Sequence, residues 1–175
     1  MIRRFLFWFS SRLPCRLIDN GGQPYLERYF LFSCCGLTAY LHRFVGQDGD
    51  RDLHDHPWNY SLAIVLVGRY FEERLHGFDP AFGLVIGERL IRRFNLITGR
   101  DFHRISRTQK ETWTLFMHGR RVKGWGFMEH VHQGDMAHRL DYYQPDLSGN
   151  HRNWMEVALR GCEADRQPLV ATRVR

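Results

Sequence analysis

Two histidines two residues apart, in Leu53-His54-Asp55-His56-Pro57-Trp58, are the side chains of this chain best suited to chemistry. On an extended backbone residues i and i+2 point to the same side, so both imidazoles can reach one metal ion. The following proline cannot donate to a sheet ladder and fixes where the strand ends. By itself the pair is equally readable as two hydrogen-bonded or solvent-facing histidines. Asp55 and Asp52 are placed either to orient the rings or to cap the turn.

Other chemistry-bearing residues surround this pair in sequence. Glu72 and Glu73 offer a fourth ligand or a base, against the plainer reading of solvent-facing strand charges. Arg43, Arg104, Arg120 and Arg121 suit an anionic ligand group, with surface placement as the default. Trp58, Trp113 and Trp125 are large enough to wall a pocket, and equally to fill a core. His130, His132 and His138 mimic a second site, but their Gly-Asp-rich setting reads as a loop or lid. No phosphate loop, nucleophile elbow or H-E-x-x-H helix is present, which sets those enzyme classes aside.

The elements that must position these residues are strands. Tyr25 to Phe32, Leu37 to Phe44, Tyr60 to Val67, Arg69 to Leu75, Val85 to Ile91, Phe94 to Ile97, Phe102 to Ile105, Thr112 to Met117 and Val122 to Phe127 are short apolar or alternating runs. Glycines and polar clusters separate them, and no long 3.6-residue period appears. The pattern predicts an all-β barrel or sandwich, with a short helix between Asn153 and Leu159 and a frayed polar tail beyond Cys162.

The histidine segment resembles the cupin superfamily, whose first motif is G-x5-H-x-H-x(3,4)-E-x6-G and whose second is G-x5-P-x-G-x2-H-x3-N. His54 and His56 match the paired histidines, Gly68 the closing glycine, and His103, in Thr98-Gly99-Arg100-Asp101-Phe102-His103, the second-motif histidine. Ser61 stands where the first motif carries glutamate, Gly49 is one place off, and the second motif's proline and asparagine are missing. The chain is also similar, over most of its length, to small uncharacterised bacterial and phage cupins. The shared segments are Pro24–Arg28, Tyr40–Phe44, His54–Trp58, Trp113–Phe116 and Trp125–Phe127.

The resemblance implies an antiparallel double-stranded β-helix, a jelly-roll barrel of about residues 25–128, with irregular N- and C-terminal extensions (129–175 the latter) in one domain over 1–175. It implies one divalent transition metal held by His54, His56 and His103: Fe(II) by preference, zinc or nickel as alternatives. Tyr40, His42, Arg43, Trp58, Ser61, Arg104, Trp113 and Trp125 are then the candidates to touch a small-molecule ligand. The function implied is a metalloenzyme, with dioxygenase-type chemistry favoured. A non-catalytic metal-stiffened binding module, phage-encoded or not, and a metal-free isomerase are the alternatives. A homodimer is the family expectation.

Composition narrows the setting. The 175 residues carry 43% hydrophobic and 14% aromatic residues, enough for a packed core. The net charge of +6 comes almost wholly from arginine, since Lys110 and Lys123 are the only lysines, and the arginines are scattered; nucleic-acid binding is not expected. Cys15, Cys34, Cys35 and Cys162 form no C-x-x-C pair and read as reduced thiols in a cytoplasmic protein. The apolar run Phe5–Phe9 is too short for a signal peptide or a membrane span; it reads as packing on the core, with an interfacial anchor as the other possibility.

Overall fold

Strand follows strand because short aromatic and β-branched runs are cut by residues that break the ladder. In the computed structural model the order is α1 (Ile2–Ser10), β1 (Cys15–Asn20), β2 (Gln23–Cys34), β3 (Leu37–Phe44), β4 (Leu53–Asp55), β5 (Tyr60–Val67), β6 (Tyr70–Asp79), β7 (Gly83–Ile91), β8 (Phe94–Thr98), β9 (His103–Thr108), β10 (Thr112–His118), β11 (Gly126–Gln133), β12 (Ala137–Tyr143) and α2 (Trp154–Val157). It describes residues 1–20, 22–46, 52–79, 81–133, 137–144 and 154–169, with backbone only at 20, 130–133 and 137–140.

The strands form two six-stranded antiparallel sheets, ordered β1-β2-β3-β10-β5-β8 and β12-β11-β4-β9-β6-β7. Together they make the all-β, two-sheet architecture expected from the sequence. The first sheet is covered on both faces, which is why β3 is buried at six consecutive positions, Ala39 to Phe44. Its outer face holds Cys15, Tyr29, Leu41 and Trp113 against Leu6 of α1, with Phe7, Phe9 and Ala164 packed around them. Its inner face carries Tyr40 and Phe116 toward the second sheet.

Several expectations need correction. The N-terminal extension is not irregular: Leu6 and Ser10, one turn apart, bury one side of a helix that docks on the sheet. The segment 129–175 is not wholly irregular either, since β11 runs on to Gln133 and pairs with β12. Conversely, Val122 to Trp125 is not strand; the Val122 N–H turns back to the Pro57 carbonyl at 2.8 Å. Beyond Cys162 the described tail, to residue 169, is tied down and not frayed; the rest of it lies outside the described residues. The Gln167 N–H donates to Glu27 at 2.7 Å, and the Arg166 guanidinium donates to the Phe7 carbonyl and the Ser10 hydroxyl, each at 3.1 Å.

Two glycines are required where they stand. Gly68 ends β5 at φ +85°, and a Cβ there would run into Thr112. Gly99 lies against the segment carrying the histidines: a Cβ on it would meet the Trp58 carbonyl oxygen at 2.6 Å and that of His56 at 3.3 Å.

Candidate metal centre

Register brings the first two imidazoles together. His54 is the central residue of β4, and its cross-strand partner on β9 is His103; on the other side it faces Phe127 of β11. His56 follows two residues after His54, just past the strand, and its ring centre lies 4.8 Å from that of His103. One ring nitrogen from each of the three falls within 4.8 Å of the others, with His56 and His103 buried and His54 half-buried.

Two of the rings are backed at Nδ1. The Nδ1 of His56 is 2.9 Å from the buried Ser61 hydroxyl, which itself lies 3.4 Å from the Ile97 carbonyl oxygen. The Nδ1 of His103 is 2.8 Å from Glu72 Oε1, an ion-pair separation, although the N–H does not align for a full hydrogen bond. With hydrogens on these two Nδ1 atoms, both Nε2 atoms carry lone pairs, and those atoms face each other at 3.0 Å. Two lone pairs repel at that distance unless a shared proton or a cation lies between them. Two nitrogens at about 2.1 Å from one ion, subtending a right angle, are separated by about 3.0 Å. The donor set therefore fits a borderline divalent ion, with no carboxylate ligand required.

Electrostatics keep the His56 ring ready for that role. Burial first, then the charges of His103, His54, Arg28 and His118, hold His56 well below the usual imidazole range, so its ring is neutral. Glu72 is fully buried, a correction to the solvent-facing reading. Burial alone would raise its carboxyl; the His103 ring, Asn95 and Arg89 outweigh that and hold it at about 2. Its partners are Asn95 Nδ2 at 2.7 Å, Arg89 Nε at 2.7 Å and Arg74 Nη2 at 3.3 Å. Glu73, by contrast, pairs with Arg104 near the surface at 2.6 Å.

The wall around the rings is aromatic. Trp125 lies 5.1 Å from His56 and 5.7 Å from His54, Trp58 lies 5.3 Å from His56, and Phe127 lies 5.8 Å from His54. Phe116 joins them from the opposite sheet, 6.0 Å from His56. Trp58 also stacks on His118 at 3.8 Å.

Of the other residues singled out by sequence, Tyr40 and His42 lie on that opposite sheet. His42 stacks on Phe116 at 5.0 Å, and its Nε2 accepts from Arg28 Nε at 3.1 Å. Burial first, then Arg28 and His118, keep His42 neutral. Arg43 and Trp113 belong to the outer face. Trp113 stacks with Tyr29 in the core against α1. The Arg43 guanidinium is enclosed by Glu27, Glu111 and the carbonyls of Gln167 and Pro168. Asp55 turns from the imidazoles to Lys123 and to the Gly126 N–H, at 2.9 Å from the latter, so it fixes β11 beside β4. Asp52 accepts from the Tyr143 hydroxyl at 3.1 Å. His130, His132 and His138 lie on β11 and β12, and their side chains fall outside the described residues.

Sequence reading gave no role to Arg28, Phe116, His118 or Phe127, and underrated Glu72. Arg28 and His42 are cross-strand partners in the β2–β3 pair because a bulge between Phe30 and Phe32 shifts the register by one residue, a shift that alignment from the Gly36 turn does not reveal.

Comparison with known proteins adds little. No family model and no curated protein matches this chain. Among solved structures it aligns with one titled as Fe(II)-HppE with the alternative substrate (S)-1-HPP, at 13% identity and a TM-score of 0.46. That alignment covers 63% of this chain and 57% of that protein. What fold and site define together is an all-β protein of two antiparallel sheets whose inner face carries a three-histidine cluster that could hold a metal ion.

Proposed function

We propose that this protein is a metal-dependent enzyme acting on a small molecule at the ion held by His54, His56 and His103. One observation carries the reading: the Nε2 atoms of His56 and His103 meet at 3.0 Å while Ser61 and Glu72 occupy the far sides of both rings. Iron(II) in a three-histidine set supplies dioxygen chemistry, the favoured reaction class, whereas zinc or nickel would supply Lewis acidity. The chain's own residues do the rest. Ser61 and Glu72 fix ring orientation; Trp58, Trp125, Phe116 and Phe127 exclude water and offer flat apolar faces to a ligand. Arg28, held to His42 on the opposite sheet, contributes positive charge to the interior.

The test is elemental analysis of protein purified under nitrogen without chelator, beside His54→Ala and His103→Ala. Near-stoichiometric iron in the parent, lost in both variants, supports the reading and justifies a substrate screen by oxygen consumption. Zinc or nickel, lost likewise, keeps the site and overturns the oxygen chemistry. Metal retained in both variants, or none taken up by the parent, overturns the site.

A further inference from the structure

Helix α1 buries one side and leaves another apolar. Leu6 and Ser10 face the sheet, with Phe7 and Phe9 packed beside them. Ile2, Phe5 and Trp8, spaced three apart along one row, are each more than half exposed, and Met1 is fully so. A cluster of exposed aromatic and aliphatic side chains on a single short helix marks an interaction surface.

The chemistry around this row says what covers it. Residues 1–18 contain Arg3, Arg4, Arg12 and Arg16 and no Asp or Glu. Arg4 is exposed one turn before Trp8. The exposed Arg12 lays its guanidinium over the Trp8 ring at 3.8 Å and donates to the Trp8 carbonyl at 3.0 Å. Arg160 is tethered beside it through the Arg12 carbonyl at 3.0 Å, and the neighbouring Glu163 carboxylate is turned back onto the Arg160 N–H at 3.0 Å. A second copy of the chain is a poor occupant, because a two-fold interface sets the same patch against itself and would oppose arginine to arginine. An anionic bilayer surface satisfies both features: Trp and Phe settle at the headgroup–acyl boundary while guanidinium groups meet lipid phosphates.

We infer that α1 is a peripheral membrane-docking face, with Phe5 and Trp8 inserting into the interface and Arg4 and Arg12 engaging anionic headgroups. No helix among the described residues is long and apolar enough to cross a bilayer, so attachment through α1 is superficial and reversible. The histidine cluster lies on the second sheet, across the first sheet from α1, so docking at α1 does not cover it.

The experiment is flotation of the full chain with vesicles of phosphatidylcholine alone and of phosphatidylcholine with phosphatidylglycerol, at low and physiological salt. Three proteins are compared: the parent, Phe5→Ser/Trp8→Ser and Arg4→Glu/Arg12→Glu. All four positions are exposed, and unchanged melting temperatures verify folding. Expected is binding of the parent to anionic vesicles only, weakened by salt. Arg4→Glu/Arg12→Glu should lose at least roughly tenfold in partitioning, given about 1 kcal/mol for each basic residue at the surface, and Phe5→Ser/Trp8→Ser should lose flotation through the lost interfacial insertion. Three outcomes overturn the proposal: no flotation with anionic vesicles, equal flotation of the variants, or a parent dimer in solution that Phe5→Ser/Trp8→Ser dissociates.

Discussion

A single hydroxyl stands behind His56 where the cupin motif carries a carboxylate. Ser61 is completely buried, and its Oγ reaches His56 Nδ1, so the position holds one ring of the candidate metal site. Glu72 backs His103 from β6 at ion-pair distance. Removing such partners costs roughly 10–100-fold in metal affinity, because the ring loses its fixed tautomer and orientation. Ser61→Ala and Glu72→Gln are therefore expected to retain the fold and bind metal within that range more weakly than the parent, as read by competition with a chromogenic chelator. Ser61→Thr, which keeps the hydroxyl, should stay close to the parent.

At the scale of elements, the first sheet is clamped to the terminal segments by buried charge. Arg43 on β3 joins Glu27 on β2 to Glu111 before β10, and its guanidinium also donates to the tail carbonyls of Gln167 at 2.6 Å and Pro168 at 3.1 Å. Burial opposes the charged guanidinium, but the hydrogen bonds and charges of Glu111 and Glu27 outweigh it and raise its pKa. Arg43→Met leaves two buried carboxylates without a counter-charge and is expected to cost about 3–5 kcal/mol in denaturant unfolding. The triple change Arg43→Met/Glu27→Leu/Glu111→Leu should recover most of that loss. Trp113→Ala opens a cavity on the same face, with an expected cost of about 3–5 kcal/mol; metal content should be unchanged, because the site lies on the other face.

Across the whole molecule, the α1 interface makes stability sensitive to alkali. Burial, then the charge of Glu27, raises the Cys15 thiol from 9.0 to about 12. The same two causes raise the Tyr29 phenol further still. Above about pH 9 the unfolded chain releases the Cys15 proton while the folded chain keeps it, so the native state binds more protons and stability falls as pH rises toward 12. Cys15→Ala should flatten part of that slope in unfolding measurements across the same interval. An unchanged slope would show that Cys15 ionises as readily in the folded protein.

Much of this was legible in the residues. Alternation and glycine spacing gave the strands, because a two-residue side-chain period is a local property. The i, i+2 pair and the family motif named His54, His56 and His103, since those positions follow from spacing along the chain. Gly68 was marked by the motif and Gly99 as a break between strands, and the structure supplies their reasons in a positive φ and a close backbone approach. What the sequence could not decide is which face of a strand meets which neighbour. Glu72 and Glu73 are adjacent and chemically alike, yet one supports the buried cluster and the other pairs at the surface. Tyr40, His42 and Arg43 all lie on β3, but alternation sends Arg43 to the face clamped by the tail. Helix α1 and the terminal segment were misread because their order comes from contacts with residues more than a hundred positions away, such as Arg166 with Phe7. Composition and period are written locally and survive in any reading of the chain; pairing across sheets is set by packing, and only the folded structure decides it.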